Sequence, residues 1–179
     1  APMYLNGAYA NLITMDFERG VGLTKEQAGE RLARDVTEAL RGMTYSSNWP
    51  LVARRKTVLL DYRDITDDEY HGRVPGAQRF RSDAYYQAAI DRIRLLAAQR
   101  GRLKAEVQLL GLGDVMFVGI PAEYFVEFQL QIKESAWPRH ALVVGGANGM
   151  VGYVPTRESF RRGGYEATLG PPSKVAPGS

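Results

Sequence analysis

The spacing of hydrophobic residues along the chain predicts helices that alternate with strands. Apolar residues recur every three to four positions over residues 28–43 and again over residues 83–100, which is the period of amphipathic helices. Thr24 and Gln27 form a capping-box pattern before the first of these helices, and Ser82 can cap the second. Each helix is therefore expected to bury one face.

Runs of β-branched and apolar residues predict the strands. A short strand followed by a loop is expected in residues 3–15, an extended strand in residues 51–63, and a buried strand in residues 141–145. Residues 107–110 and 115–118 flank a glycine-rich turn, as in a hairpin. Helices alternating with strands and one hairpin predict an α/β (mixed α+β) fold, in which helices cover a mixed sheet.

Pro121 predicts the start of a third helix, over residues 122–135, because proline's missing N–H costs nothing in a first turn. Trp137-Pro138 would end it. This assignment places the Glu123 carboxylate in a first helical turn at the end of a strand, where α/β sheets commonly present functional groups. A carboxylate there could equally serve only to complement the helix dipole. Two other long segments are predicted to be mainly irregular: residues 64–82 and 150–179.

Composition narrows the classes of function. The chain has 179 residues, 45% hydrophobic and 24% charged, which suits one ordinary globular domain. Its net charge is +3 and its longest basic run is Arg54-Arg55-Lys56, so a nucleic-acid partner is not expected. It has no cysteine, and its longest apolar runs fall far short of the roughly 20 residues of a membrane span. We therefore expect no disulfides, no thiolate metal site and no transmembrane segment, and no targeting segment is readable at the start.

The candidate polar residues do not form a complete metal site by themselves. The two histidines, His71 and His140, are not spaced as a pair, whereas a zinc site usually needs three or four protein ligands. Both are expected at the surface or in turns. Tyr153 and Tyr165 lie in glycine-rich loops, and a tyrosine there can be a packing anchor or a functional donor.

Several segments together resemble one enzyme family, the neutral/alkaline non-lysosomal ceramidases. The segment Asn6–Asn11 also stands in the order expected of that family's shorter bacterial members. The motifs that carry the resemblance are Gly113-Asp114-Val115, Pro121-Ala122-Glu123, Gly145-Gly146-Ala147-Asn148, Gly152-Tyr153-Val154-Pro155-Thr156 and Gly163-Gly164-Tyr165-Glu166.

The resemblance implies a zinc-dependent amidohydrolase that cleaves the N-acyl amide of ceramide, a sphingolipid, or of a related N-acyl lipid. Glu123 matches the family's zinc-binding glutamate, with Ala122 in place of the usual glycine. Tyr153 matches a tyrosine that also contacts the metal. Tyr165 matches the catalytic tyrosine that faces the scissile carbonyl.

Departures from the family suggest that residues 1–179 form a single partial domain, the C-terminal half of a ceramidase-like catalytic domain. The family's two zinc-binding histidines come from an upstream stretch, so zinc would need two histidine ligands from outside this chain. The partner implied is the missing N-terminal half, and the isolated chain is expected to be inactive. The family's catalytic serine would fall near residues 1–3, which contain none.

These departures leave two alternatives open. One is a non-catalytic binding or structural relative of the ceramidase fold, and the other is an amidase with a different substrate. The resemblance also implies a secreted or periplasmic protein.

Overall fold

The computed structural model describes residues 3–137 and 139–179. The helices are α1 (Lys25–Arg41), α2 (Asp67–His71), α3 (Asp83–Arg100), α4 (Val126–Ser135) and α5 (Arg157–Arg162). The strands are β1 (Met15–Asp16), β2 (Val21–Gly22), β3 (Leu51–Leu60), β4 (Leu103–Leu112), β5 (Val115–Ile120), β6 (Glu123–Tyr124), β7 (His140–Gly145) and β8 (Tyr153–Val154). The predicted mixed α/β fold is confirmed.

The central feature is a four-stranded mixed sheet in the order β3-β4-β5-β7. β3 and β4 pair antiparallel over their full lengths, from Leu51 opposite Leu112 to Leu60 opposite Leu103. β4 and β5 form the predicted hairpin, which turns at Gly113, where φ is 58°. β7 pairs parallel with β5, because α4 carries the chain back to the starting end of the sheet.

The chain divides into two compact units. One unit comprises residues 12–50, which contain the short β1–β2 pair and α1. The other comprises residues 3–11 together with the described part of Leu51–Ser179, and it contains the four-stranded sheet. The interpretation of the chain as one partial domain of a larger protein stays a prediction.

Helix α1 begins at the predicted cap. The Thr24 hydroxyl accepts from the Gln27 N–H at 3.2 Å, and the Gln27 side chain accepts from the Thr24 N–H at 3.0 Å. The prediction that α1 buries one face is wrong, because none of its residues is buried, and Leu32 and Val36 are 49% and 48% exposed. Local capping therefore accounts for where α1 starts, but burial does not stabilise it.

Helix α3 is buried along the predicted stripe. Ser82 caps it by accepting from the Tyr85 N–H at 3.3 Å. Ile90 and Ile93 are 0% and 4% exposed and pack with Leu169 of the C-terminal segment. A second cluster of buried hydrophobic residues packs on the sheet. Its members are Ala105, Ile120, Ala122, Val143, Val151 and Val175.

Three predicted loop and strand assignments change. The strand expected in residues 3–15 is wrong except at Met15, which opens the two-residue β1. The expected loop of residues 64–82 contains α2, which Thr66 caps from its side chain. The segment 150–179, expected to be mainly irregular, contains β8 and α5.

Helix α4 ends at Ser135, and the predicted stop at Pro138 lies outside the described residues.

The third helix starts later than predicted, at Val126 rather than Ala122. The prediction that Glu123 lies in a first helical turn is therefore wrong, and so is the helix-dipole interpretation of its carboxylate. Backbone pairing explains the change, because the Pro121 carbonyl accepts from the Val151 N–H at 2.8 Å and Glu123 lies in strand β6. The helix forms only after this strand ends.

Truncating Ile90 should destabilise the unit that contains the sheet. Ile90→Ala removes a fully buried side chain from the contact between α3 and Leu169, so we expect a loss of about 2–4 kcal/mol in the free energy of unfolding. Leu95→Ala, in the same helix at a position 56% exposed, is the matched control and should change stability by well under half of that amount. Urea unfolding of both variants measures the difference, and equal losses would contradict the assigned core.

Candidate functional site

Glu123 and Tyr153 lie side by side on two short strands. β6 pairs parallel with β8 with Glu123 opposite Tyr153, and the Glu123 N–H donates to the Gly152 carbonyl at 3.0 Å. Residues opposite each other on neighbouring strands project to the same face. The fold therefore brings together two of the three residues that the resemblance assigned to the site.

Gly152 makes this pairing sterically feasible. Its φ is 102°, a conformation that residues with a side chain rarely adopt, and a Cβ at this position would overlap the Pro172 carbonyl. That same carbonyl accepts from the Tyr153 N–H at 2.6 Å. β8 is thus fixed by β6 on one side and by the segment around Pro172 on the other.

Tyr165 completes the predicted trio. Its ring packs edge-on against Tyr153, with 5.8 Å between ring centroids and an interplanar angle of 74°. The preceding glycines allow the loop to turn, since φ is 84° at Gly163 and 111° at Gly164. The Gly164 N–H donates to the Gly76 carbonyl at 2.8 Å, which joins the loop to the segment before α3.

The site keeps its central phenol protonated. Burial raises the pKa of Tyr153 most, followed by the Glu123 carboxylate, which accepts a hydrogen bond from the phenol and adds a negative charge. The charges of Tyr165 and Glu166 raise this pKa further. Tyr153 is therefore a neutral hydrogen-bond donor near pH 7, beside a carboxylate.

Two further residues face this site, and reasoning from the sequence did not assign a role to either. Glu166 follows Tyr165 and contributes the negative charge already described. Burial raises the pKa of the Tyr9 phenol most, and the charge of the nearby Glu123 carboxylate raises it further. Both residues stand within segments that carried the family resemblance, so the signal was present but was not attached to these side chains.

Arg63 anchors the loop that carries Tyr165. Its guanidinium is almost fully buried, forms an ion pair with Glu69, and donates to the Ala167 carbonyl at 2.6 Å. It also lies 4.9 Å from the centroid of the Phe160 ring. Burial lowers the pKa of Arg63, and the Glu69 charge opposes that shift. One buried cation thus joins β3, α2, α5 and the C-terminal segment.

A cavity of about 500 Å³ lies next to Tyr165. Its walls are largely aromatic, and the Phe80 ring packs on Tyr165 with 5.3 Å between centroids. Arg81 lines the same cavity. The site therefore has space beside Tyr165 for a group that contacts both aromatic and polar side chains.

Neither histidine of the chain belongs to this site. His71 ends α2, where its Nδ1 lies 2.9 Å from the Asp67 carbonyl oxygen. His140 begins β7, whereas the end of β7 near β6 is Gly145. Both histidines are exposed, as expected from the sequence.

Glu123 and Tyr153 fit part of a zinc donor set. A carboxylate oxygen is a normal zinc ligand, and the paired strands aim both side chains at the same space. Within residues 3–137 and 139–179, no group of three or more His, Asp and Glu side chains could hold a metal. Glu123 and Tyr153 alone are fewer than the three or four protein ligands that a zinc site usually has.

Comparison with solved structures identifies the fold. A ceramidase solved in complex with C2 superposes with a TM-score of 0.51 at 16% sequence identity, over 86% of this chain and 31% of that chain. Neutral ceramidase from Pseudomonas aeruginosa gives a TM-score of 0.48 at 17% identity, over 87% of this chain and 32% of that chain. No family model and no curated protein matches the sequence.

The first of these superpositions shows a ceramidase-like fold at low sequence identity. The chain spans about a third of the length of the ceramidase structures that it matches. In addition, no helix in the described part of the chain is long and apolar enough to cross a bilayer.

Removing Arg63 should destabilise the Tyr165 loop and the whole unit around it. Arg63→Ala leaves the Glu69 carboxylate buried without its cation, so we expect a loss of about 3 kcal/mol or more in the free energy of unfolding. Arg102→Ala is the control, because Arg102 pairs with Asp61 at 2.6 Å in an exposed position. The Arg102–Asp61 pair should contribute less than about 1 kcal/mol to the free energy of unfolding. If chemical unfolding gives the two variants the same stability, Arg63 is not the anchor described here.

Proposed function

We propose that this chain is part of a zinc-dependent amidohydrolase that resembles neutral ceramidase and cleaves the N-acyl amide of ceramide or a related N-acyl lipid. In this proposal the chain is the C-terminal half of the catalytic domain. Glu123 and Tyr153 bind zinc, and Tyr165 faces the scissile carbonyl. Two histidine ligands come from the N-terminal half of the domain.

The observation that carries the proposal is the convergence of three separated residues. Glu123 and Tyr153 are paired in register, and the Tyr165 ring packs on Tyr153, although Glu123 precedes Tyr153 by 30 residues in the sequence. The ceramidase-like fold supports this assignment independently of the motifs.

The residues of this chain fit amide hydrolysis. Zinc, when bound, supplies Lewis acidity that polarises a carbonyl and activates water. Glu123 provides negative charge for the cation, and the neutral Tyr153 phenol fixes the orientation of that carboxylate by donating to it. In this proposal, the Tyr165 hydroxyl donates to the oxygen on which negative charge develops in the transition state.

The cavity next to Tyr165 supports an apolar substrate. Its aromatic walls can hold part of an acyl chain while the hydroxyl meets the amide, as binding sites combine apolar linings with a few placed polar groups. A secreted or periplasmic location would suit an enzyme acting on such lipids and is part of the proposal.

Zinc binding tests the proposed ligands directly. Glu123→Gln keeps the size of the side chain but removes its charge. In protein that also contains the sequence supplying the two histidines, it should weaken zinc binding at least as much as the roughly tenfold loss seen when an outer-shell partner is removed. Tyr153→Phe should also weaken it, whereas Glu134→Gln, an exposed position on α4, should not. Calorimetric titration with zinc measures all four proteins.

Activity is measured in parallel as release of a fatty acid from a fluorescent ceramide. The chain alone should be inactive, and activity should require added sequence that supplies the histidines. Equal zinc affinity in the wild type and Glu123→Gln would contradict the proposed metal site. The chain would then be a non-catalytic binding relative of the ceramidase fold.

A further inference from the structure

Residues 3–11, which precede the boundary between the two units, are held against the proposed site by backbone hydrogen bonds. The Gly145 N–H donates to the Asn6 carbonyl at 2.9 Å, and the Ala10 N–H donates to the Tyr124 carbonyl at 3.3 Å. The first contact fixes the segment at the end of β7, and the second runs it alongside β6. Tyr9 therefore lies between two backbone contacts to the strands that lead into the site.

Helix α4 fixes the same segment from another direction. The Ala8 N–H donates to the Gln129 Oε1 at 2.8 Å, and Ala8 is only 1% exposed. The Asn11 Oδ1 accepts from the Val126 N–H at 2.9 Å and so provides a cap that Phe125, at the cap position, cannot supply. Both neighbours of the Tyr9 position are thus bound, and the Tyr9 side chain has a defined direction.

Two glycines make room for the Tyr9 ring. A Cβ on Gly145 would lie 3.1 Å from Tyr9 Cε1, closer than ordinary contact, and a Cβ on Gly146 would lie 3.8 Å from the Tyr9 hydroxyl. The Gly146 N–H in turn donates to the Ala122 carbonyl at 3.1 Å. The hydroxyl therefore lies beside the backbone that immediately precedes Glu123.

We propose that Tyr9 is a third phenol of the site, whose hydroxyl donates a hydrogen bond to the acyl oxygen of a bound neutral amide. This inference rests on the proposed function and adds a binding residue to it. The ligand is a neutral amide because that is the substrate class of the proposed function. A phenol O–H donates to a carbonyl oxygen without adding charge.

Binding of octanamide tests this inference on the chain itself. Tyr9→Phe keeps the ring against Gly145 and removes only the hydroxyl, so the fold should be preserved. It should weaken octanamide binding about fivefold, the effect of one lost hydrogen bond. Tyr4→Phe is the matched control, because Tyr4 is 73% exposed and should leave the affinity unchanged. Tyr165→Phe reports separately on the proposed function and should also weaken binding.

A second measurement does not depend on any variant. With ¹³Cζ-labelled tyrosine, octanamide should shift the NMR signals of Tyr9 and Tyr165 and leave that of Tyr4 in place. If Tyr165→Phe weakens binding while Tyr9→Phe and the Tyr9 signal do not respond, the inference is wrong and the proposed function stands. If octanamide binds to no part of the wild-type chain even when the sequence that supplies the two histidines is present, the proposed substrate class falls and this inference falls with it.

Discussion

Two backbone hydrogen bonds hold β8 in place, and the candidate site depends on them. The Glu123 N–H donates to the Gly152 carbonyl, and the Tyr153 N–H donates to the Pro172 carbonyl. Each partner lies far along the chain from its donor or in a different loop, so neither bond forms until the sheet and the C-terminal segment have folded. The conformation of Gly152 is the constraint behind both, because any side chain there would meet the Pro172 carbonyl.

A separate set of contacts supports the Tyr165 side of the site. Arg63 binds the Ala167 carbonyl and the Glu69 carboxylate in a buried position, and the C-terminal segment packs Leu169 against α3. A buried cation needs acceptors around it, and Arg63 has them in both α2 and the C-terminal segment. Two separate sets of contacts therefore position the site, one for the paired Glu123 and Tyr153 and the other for the Tyr165 loop.

Features set by local sequence were predictable. The Thr24 capping box, the Ser82 cap and the β4–β5 hairpin depend on residues within a few positions of each other, and all are present. The start of α4 was not predictable from Pro121, because that residue's carbonyl pairs with Val151 thirty residues further along the chain.

In the candidate site, too, some features were predictable from the local sequence and others depend on residues distant in the chain. The motifs around Glu123, Tyr153 and Tyr165 pointed to residues that the fold does bring together, but their roles stay predictions. The position of Tyr9 depends on contacts to α4 and β7, and the role of Arg63 depends on acceptors about a hundred residues away, at Ala167 and Ser173. The local sequence pattern therefore predicts neither the position of Tyr9 nor the role of Arg63.

Amide hydrogen exchange would test the pairing of β6 with β8 most directly. If β6 and β8 pair as described, the amides of Val151, Glu123 and Tyr153 exchange slowly together, because each donates to a carbonyl inside the folded unit. Gly152→Ala should raise the exchange rates of all three, since it forces the Pro172 carbonyl away. Exchange of the wild-type Glu123 and Tyr153 amides at the rate of an unstructured peptide would contradict the central claim.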